Sequence, residues 1–202
     1  MNNMISERKI TAVDGSGLQV RTLYKTTFQV TEDPWDFIMD LTILKKIDIR
    51  AYYESDAFVG FTIVYPRHPF YWLWYIAIRE DICGQGYGQS VLSELLEKHK
   101  GKTVILDIES PEQVCNNMEI RHRRHAFYLH NGFRDTEVGH SYKGIDYTFM
   151  VNGEVSFTRQ DYNDIIKDFN WLSYITVKMK IGKIVMKEKA EAVLNYLNLI
   201  TH

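Results

Sequence analysis

The sequence predicts an α/β layer fold in which several helices pack on one mixed sheet. Apolar runs of strand length alternate with segments whose apolar residues recur at helical spacing, in the order helix, helix, strand, strand, strand, helix, strand, helix, strand. With 202 residues and 45% hydrophobic composition, the chain is also long enough to bury one substantial core. We therefore expect one domain of ordinary size with an appendage.

The first half of the chain is predicted to hold two helices and three strands. The helices are predicted at 17–28 and 33–47, and the strands at 49–55, 57–65 and 70–78. The third strand, "FYWLWYIAI", is apolar throughout, which is typical of a strand covered on both faces. Simple alternation places Trp72 and Trp74 on one face and Tyr75 on the other. These rings could either pack in the core or bind a cationic substrate.

In the second half, a helix follows Gly88, because Val91, Leu92 and Leu95 recur at helical spacing. A buried strand is predicted at 102–109. Ser110 and Pro111 then resemble a helix cap and a first helical residue, with Gln113 completing a capping box. We therefore expect a helix from Ser110 to about Asn131, with or without a break near 116–117. A further strand is predicted at 145–151.

Residues 151–202 are expected to form a C-terminal α/β extension. Its predicted parts are a helix at 159–174, a strand or hairpin at 176–186 and a final amphipathic helix at 187–200. The extension could serve as a subdomain, a lid or a contact in a homodimer.

Charge and cysteine content limit the classes of partner. The net charge of −2 gives no general attraction to nucleic acid or to an anionic membrane. No segment resembles a signal peptide or the roughly 20 apolar residues of a membrane span, so we expect a soluble cytoplasmic protein. Cys83 and Cys115 lack metal-ligand spacing, and we expect reduced thiols and no metal site.

Three alternate glycines stand between the third strand and its following helix, at positions 84, 86 and 88. A loop of small residues before a helix N-terminus presents several backbone N–H groups, and the helix dipole adds about half a positive charge, so the loop favours phosphate. A Walker loop does not fit, because no lysine follows Gly88, and the spacing is not that of a dinucleotide loop.

Residues 83–88, "CGQGYG", instead resemble the pyrophosphate loop of the GCN5-related N-acetyltransferase (GNAT) superfamily, with Cys83 where Arg or Gln is usual. A second segment, "AFYLHNGF" at 126–133, is similar to the family's helix that ends in Tyr, three residues, Gly and Phe. The resemblance covers roughly residues 8–150. It implies a GNAT-like domain over 1–150, with a mixed, mostly antiparallel central sheet flanked by helices.

The resemblance also implies acetyl-CoA as co-substrate. Its pantetheine would pair with strand backbone in a wedge, and its pyrophosphate would meet loop amides. The residues carried over to these two roles are Ile76, Ala77 and Ile78 for the strand, and Gly84, Gln85, Gly86, Tyr87, Gly88 and Gln89 for the loop.

Two residues are assigned catalytic roles. Tyr128 matches the family's proton donor to the leaving thiolate. Glu109 ends the fifth strand of the family pattern and is predicted to deprotonate the amine, directly or through water. A structural role for this carboxylate, as a cap of the following turn or a partner of an arginine, is equally plausible. Asp107 shares its face and is a second candidate. Arg121 and Arg124, on the same helical side as Tyr128, either contact an anion or are solvated.

The predicted function is therefore acetyl-CoA-dependent N-acetyl transfer to a primary amine of a small molecule or protein. The alternative is a catalytically silent CoA-binding or protein-interaction module. A nucleic-acid role for "RHRRH" and the lysine-rich tail is disfavoured by the acidic balance.

Overall fold

The computed structural model describes residues 4–11, 17–28 and 34–200. In order, the elements are β1 Ser6–Lys9, α1 Gly17–Thr27, α2 Trp35–Ile43, β2 Asp48–Glu54, β3 Ala57–Arg67, β4 Phe70–Ile78, α3 Tyr87–Lys98, β5 Thr103–Glu109, α4 Met118–His130, β6 Arg134–Tyr142, β7 Ile145–Asn152 and α5 Arg159–Ile200. The predicted helices α1 to α3 and strands β2 to β5 and β7 are confirmed, most of them within one or two residues.

The strands form one sheet in the order β1-β2-β3-β4-β5-β7-β6. All neighbouring pairs are antiparallel except β4 and β5, which are parallel. The predicted mixed, mostly antiparallel sheet is therefore confirmed.

A β-bulge interrupts β4 at Trp74. Ile63 of β3 pairs with Tyr75, and the next residue, Val64, pairs with Leu73, so Trp74 is the extra residue on β4. A bulge bends its strand and increases the local twist. The bend lies just beyond the residues through which β4 pairs with β5.

Beyond this bulge, β4 and β5 separate. The paired residues are 70–72 of β4 with 103–105 of β5, and the last pair joins Trp72 to Ile105. Residues 76–78 of β4 still pair with β3, but among the described strands none pairs with their other edge. The two parallel strands thus form a wedge that opens toward the carboxyl end of β4.

The bulge also overturns the predicted side-chain alternation. Trp74 packs edge-on against Phe37 of α2, and Tyr75 packs edge-on against Tyr24 of α1, with ring centroids 6.5 and 5.0 Å apart respectively. The centroids of Trp74 and Tyr75 are 4.9 Å apart. Trp74 and Tyr75 therefore lie on the same face, because the extra residue shifts the pleat by one.

The opposite face of the sheet packs on α3 and α4. Its buried cluster consists of Val64, Leu73, Leu92, Leu95, Val104, Leu106, Ile108, Tyr128, Phe133 and Met150. This packing fixes the positions of α3 and α4, which border the wedge. α3 borders it with its N-terminus, and α4 borders it with Tyr128.

Two edge strands were not predicted. β1 is only four residues long, "SERK", and mostly exposed. β6 has one buried apolar residue, Val138, among polar neighbours. Polar edge strands of this kind carry little hydrophobic pattern, and polarity protects them from pairing with other chains.

The predicted start of α4 is wrong. The helix begins at Met118 and not at Ser110, whose hydroxyl accepts a hydrogen bond from the backbone N–H of Glu112 in a turn. The predicted end is confirmed: the helix ends at His130, and Gly132 has a positive φ of 80°. The hydroxyl of Ser110 stabilises a local turn instead of a helix cap.

The predicted strand or hairpin at 176–186 is also wrong, because residues 159–200 form one helix of 42 residues. Val177, Met179 and Ile181 alternate with lysines, but they are 37–52% exposed. A helix satisfies its backbone hydrogen bonds internally, whereas a strand needs a neighbouring strand.

The chain divides into two compact units, Met1–Asn163 and Asp164–His202. In the described residues we find no helix with the length and apolar character of a membrane span.

Candidate active site

The glycine loop adopts the backbone conformation that its composition predicts. Gly84 and Gly86 have φ values of 82° and 87°, in the left-handed region that side chains other than glycine's rarely adopt. Gly86 is the residue that precedes α3, and it has no side chain with which to cap the helix. The loop therefore leaves the helix N-terminus open.

The amides of this N-terminus are available to a ligand. The N–H of Ser90 donates to the carbonyl of Gly86 at 3.1 Å, which begins the ladder of the helix. The N–H groups of Tyr87, Gly88 and Gln89 precede it and have no acceptor within the helix. Together with the helix dipole, these donors form a site suited to a phosphate group.

Two side chains of the loop hold it in place. The Tyr87 hydroxyl donates to Glu54 Oε2 at 2.6 Å, and this hydrogen bond raises the pKa of the Tyr87 hydroxyl. Gln89 Nε2 donates to Asn131 at the end of α4. Arg79, which the sequence analysis did not single out, donates to the carbonyl of Phe58 at 3.0 Å and pairs with Asp81. These contacts fix the loop while the amides of Tyr87, Gly88 and Gln89 stay open. The N–H of Gln85, also predicted to meet the pyrophosphate, instead donates to the carbonyl of Ile82 at 3.4 Å.

The strand predicted to hold pantetheine borders the wedge. Ile76, Ala77 and Ile78 pair on one side with Thr62, Phe61 and Gly60 of β3. The side chains of Ile76 and Ile78 are packed against a buried cluster. The strand edge that faces the wedge offers backbone donors and acceptors, which are the groups that a peptide-like ligand needs.

Tyr128 lies in the core beside the wedge. Its side chain is 6% exposed, and its ring packs edge-on against Phe127 and Phe133, with centroids 5.2 and 5.6 Å away. Burial raises the pKa of the Tyr128 hydroxyl to about 12, with Arg124 opposing the shift and Asp107 adding to it. No group in the described part of the chain forms a hydrogen bond with this hydroxyl. It is protonated at neutral pH and free to donate.

Glu109 lies in a network of structural contacts. Its Oε2 is 2.8 Å from Arg121 Nε and 3.3 Å from Asn117 Nδ2, which donates to it. Arg121 is 4% exposed and also donates to Gln113 Oε1 at 2.9 Å. Arg121 is therefore not solvated; it fastens the turn before α4 to the end of β5. The predicted role of Glu109 as a base stays a prediction.

Asp107 joins three strands at the narrow end of the wedge. Its Oδ1 accepts a hydrogen bond from Trp72 Nε1 of β4 at 2.8 Å, and its Oδ2 is 3.1 Å from His140 Nε2 of β6. His140 was not predicted as a site residue, because β6 itself was not predicted. The remaining histidine–carboxylate contact within 4 Å among the described residues joins His125 and Asp135, at 2.7 Å.

The sequence of this chain matches the family model described as an acetyltransferase (GNAT) domain over residues 48–135, which include the β4 wedge, the glycine loop and Tyr128.

This match confirms the predicted resemblance to the GNAT superfamily over residues 48–135.

Solved structures share the GNAT fold. A protein from Bacteroides thetaiotaomicron that is assigned to this family matches with a TM-score of 0.69 at 20% identity, covering 84% of this chain and 98% of that chain. A GNAT acetyltransferase from Elizabethkingia anophelis with acetyl-CoA bound matches with a TM-score of 0.55 at 16% identity, covering 76% of this chain and 100% of that chain. Arabidopsis thaliana Naa50, in complex with the bisubstrate analogue CoA-Ac-MVNAL, matches with a TM-score of 0.57 at 15% identity, covering 74% of this chain and 99% of that chain. No curated protein matches this sequence. At these identities the structural similarity establishes the fold alone.

Proposed function

We propose that this GNAT domain transfers an acetyl group from acetyl-CoA to a primary amine of a small molecule or a protein. The observation that supports this most is the wedge. β4 and β5 part after the Trp72–Ile105 pair, and unpaired helix amides lie beyond the end of β4. A ligand with a peptide-like arm and a diphosphate matches both features.

The residues present fit acetyl-CoA. The amides of Tyr87, Gly88 and Gln89 would hold its pyrophosphate, and the open edge of residues 76–78 would pair with its pantetheine. When bound, acetyl-CoA supplies a thioester, whose carbonyl carbon is open to attack by an amine. The Elizabethkingia structure contains acetyl-CoA and the Arabidopsis one a CoA-linked peptide, which is consistent with this choice.

Tyr128 is suited to protonate the leaving thiolate. A free thiol has a pKa near 8.5, so protonation speeds the departure of sulfur without being obligatory. Because burial keeps the hydroxyl of Tyr128 protonated, the proton is available throughout the neutral range.

The proposal is tested by following thiol release from acetyl-CoA over a panel of polyamines, aminoglycosides and peptides with free N-termini. We expect at least one amine to be acetylated by the wild-type protein, and Tyr128→Phe to lower kcat about 10- to 100-fold with unchanged acetyl-CoA binding. Phe127→Leu, on the neighbouring ring, is the matched control. Binding of acetyl-CoA without tyrosine-dependent turnover of any amine would favour the non-catalytic CoA-binding module instead.

A further inference from the structure

His140 is held between two aromatic rings. Its imidazole stacks on Tyr147 with a centroid distance of 4.9 Å and an interplanar angle of 6°, and on Tyr162 at 5.4 Å and 20°. The side chain is 20% exposed. Stacking on these two rings fixes the plane of the imidazole, so its two nitrogens point in defined directions.

The contact with Asp107 determines which nitrogen carries the proton. The Asp107 carboxylate accepts hydrogen bonds only, so His140 Nε2, at 3.1 Å, must be the donor. In the neutral imidazole, Nδ1 then has a free lone pair. No described residue is hydrogen-bonded to Nδ1. The pair therefore presents an oriented base.

Asp107, the residue that holds this base, lies at the narrow end of the wedge. Asp107 follows Ile105, the last residue of β5 that pairs with β4, by two positions. Its other oxygen, Oδ1, accepts a hydrogen bond from Trp72, which is the β4 residue of that last pair. The charge of Asp107 also adds to the raised pKa of Tyr128, which burial mainly causes.

We propose that His140 is the general base that deprotonates the acceptor amine, and that Asp107 is the residue that positions it. The proposal rests on the function proposed above and adds a residue that the family motifs do not include. Both oxygens of Asp107 already accept hydrogen bonds, which leaves Nδ1 of His140 as the better proton acceptor.

The proposed step moves two protons from the acceptor nitrogen. An alkylammonium acceptor gives one proton to His140 Nδ1, which passes it to solvent. The amine nitrogen then forms a bond to the thioester carbonyl carbon, and the carbon–sulfur bond breaks. Tyr128 protonates the thiolate, and the second proton lost by the nitrogen restores the tyrosine. The products are an amide, a free thiol and one released proton.

The pH dependence of this step is set by the groups that face His140. These are Asp107 of β5, Tyr147 of β7, and Tyr162 with Arg159 at the start of α5, the guanidinium lying 5.6 Å from the Tyr162 ring centroid. Asp107 is the close anion in this set. Replacing its carboxylate by an amide would allow a donor to face Nε2, so the proton would no longer be fixed on that nitrogen.

The kinetic test compares His140→Gln with His125→Gln. His125 contacts Asp135 as His140 contacts Asp107, so it is a matched control for losing a histidine–carboxylate pair. We expect His140→Gln to lower kcat/KM about 100- to 1,000-fold with the best amine of the panel and to remove the acidic limb of the pH profile. His125→Gln should change neither. Equal acidic limbs in the wild type and His140→Gln would overturn the proposal.

A second test needs no acceptor. Long-range ¹H–¹⁵N spectra of the whole wild-type chain should show His140 protonated at Nε2 and bare at Nδ1 at pH 8. Asp107→Asn should allow a proton on Nδ1 as well, because an amide can donate to Nε2, and should lower kcat/KM with the amine. A proton on Nδ1 of the wild type at pH 8 would overturn the assignment even if no amine in the panel reacts. Absence of turnover in the wild type, with the expected tautomer present, would count against the proposed function alone.

Discussion

At the scale of single residues, the two predicted catalytic side chains differ in what surrounds them. The Tyr128 hydroxyl is buried without a described hydrogen-bond partner. Glu109 is engaged by Arg121 and Asn117. A group that reacts must be free at some stage of the cycle, so the geometry favours a chemical role for Tyr128 more than for Glu109.

The pKa of Tyr128 leads to a prediction for the alkaline side of the rate profile. Burial raises this pKa to about 12, so the hydroxyl stays protonated at pH values where an ordinary tyrosine, with a pKa of about 10, ionises. We expect kcat of the wild-type protein to show no decline attributable to tyrosine ionisation up to about pH 10. Stopped-flow thiol release between pH 7 and pH 10 would check this, and a fall that Tyr128→Phe abolishes would contradict it.

Replacing Glu109 by Gln separates its two interpretations. Loss of the charge opposite buried Arg121 should lower the free energy of unfolding by about 1–3 kcal/mol, and leave the acidic limb of the kcat/KM profile in place. Urea unfolding and the pH profile measure the two effects. Disappearance of the acidic limb in Glu109→Gln would identify Glu109 as the base instead of His140.

The sequence could predict some of the site at this scale but not all of it. Tyr128 and the loop glycines stand in contiguous motifs, so they could be found by spacing. His140 and Asp107 are 33 positions apart and meet at 3.1 Å only because β7 pairs with both β5 and β6 and so places their strands on either side of it. Neither composition nor periodicity carries that information.

At the scale of elements, the glycine loop and the start of α3 act as one anion site. Gly86→Ala should cost about 1–2 kcal/mol of stability from its positive φ, and should also weaken acetyl-CoA binding at least about tenfold by moving the amides. Gly101→Ala is the control, because Gly101 has a φ of 74° and open space around it, but follows the other end of α3. Calorimetric titration of both variants measures the difference. Equal weakening in both, or in neither, would contradict a role for the loop amides.

The bulge in β4 and the late start of α4, neither of which the sequence predicted, share a physical cause. The bulge at Trp74 depends on pairing with β3, and the late start of α4 depends on Arg121 holding Ser110 and Gln113 in a turn. In both cases tertiary contacts override a valid local signal. The wedge, which needs the bulge, was expected only from the family resemblance.

At the scale of the whole molecule, buried tyrosines couple stability to alkaline pH. Burial raises the pKa of both Tyr52 and Tyr128. The unfolded chain then binds fewer protons than the folded chain above about pH 10, so stability is complete below that pH and falls as pH rises. We expect a loss of about 1–2 kcal/mol for each of these groups by pH 11. Urea unfolding at pH 8 and pH 11 measures this loss of stability. If the loss in Tyr128→Phe were as large as in the wild type, the contribution assigned to Tyr128 would be contradicted.

The overall layers were predictable because buried strands and amphipathic helices have strong periodic signals. The C-terminal segment was not, since its alternation of lysine and apolar residues suits a strand or an exposed helix equally, and residues 159–200 are one helix. The proposed boundary after residue 150 stays a prediction; the first compact unit extends to Asn163. The cytoplasmic location likewise stays a prediction.

The central claim is that the wedge between β4 and β5 binds acetyl-CoA with its pyrophosphate on the loop amides. Amide hydrogen exchange with and without saturating acetyl-CoA tests it most directly. We predict new protection at residues 76–78 and 84–89, with little change in the edge strands β1 and β2. Saturated binding that leaves those two segments exchanging at their unliganded rates, or no binding at all, would contradict the claim.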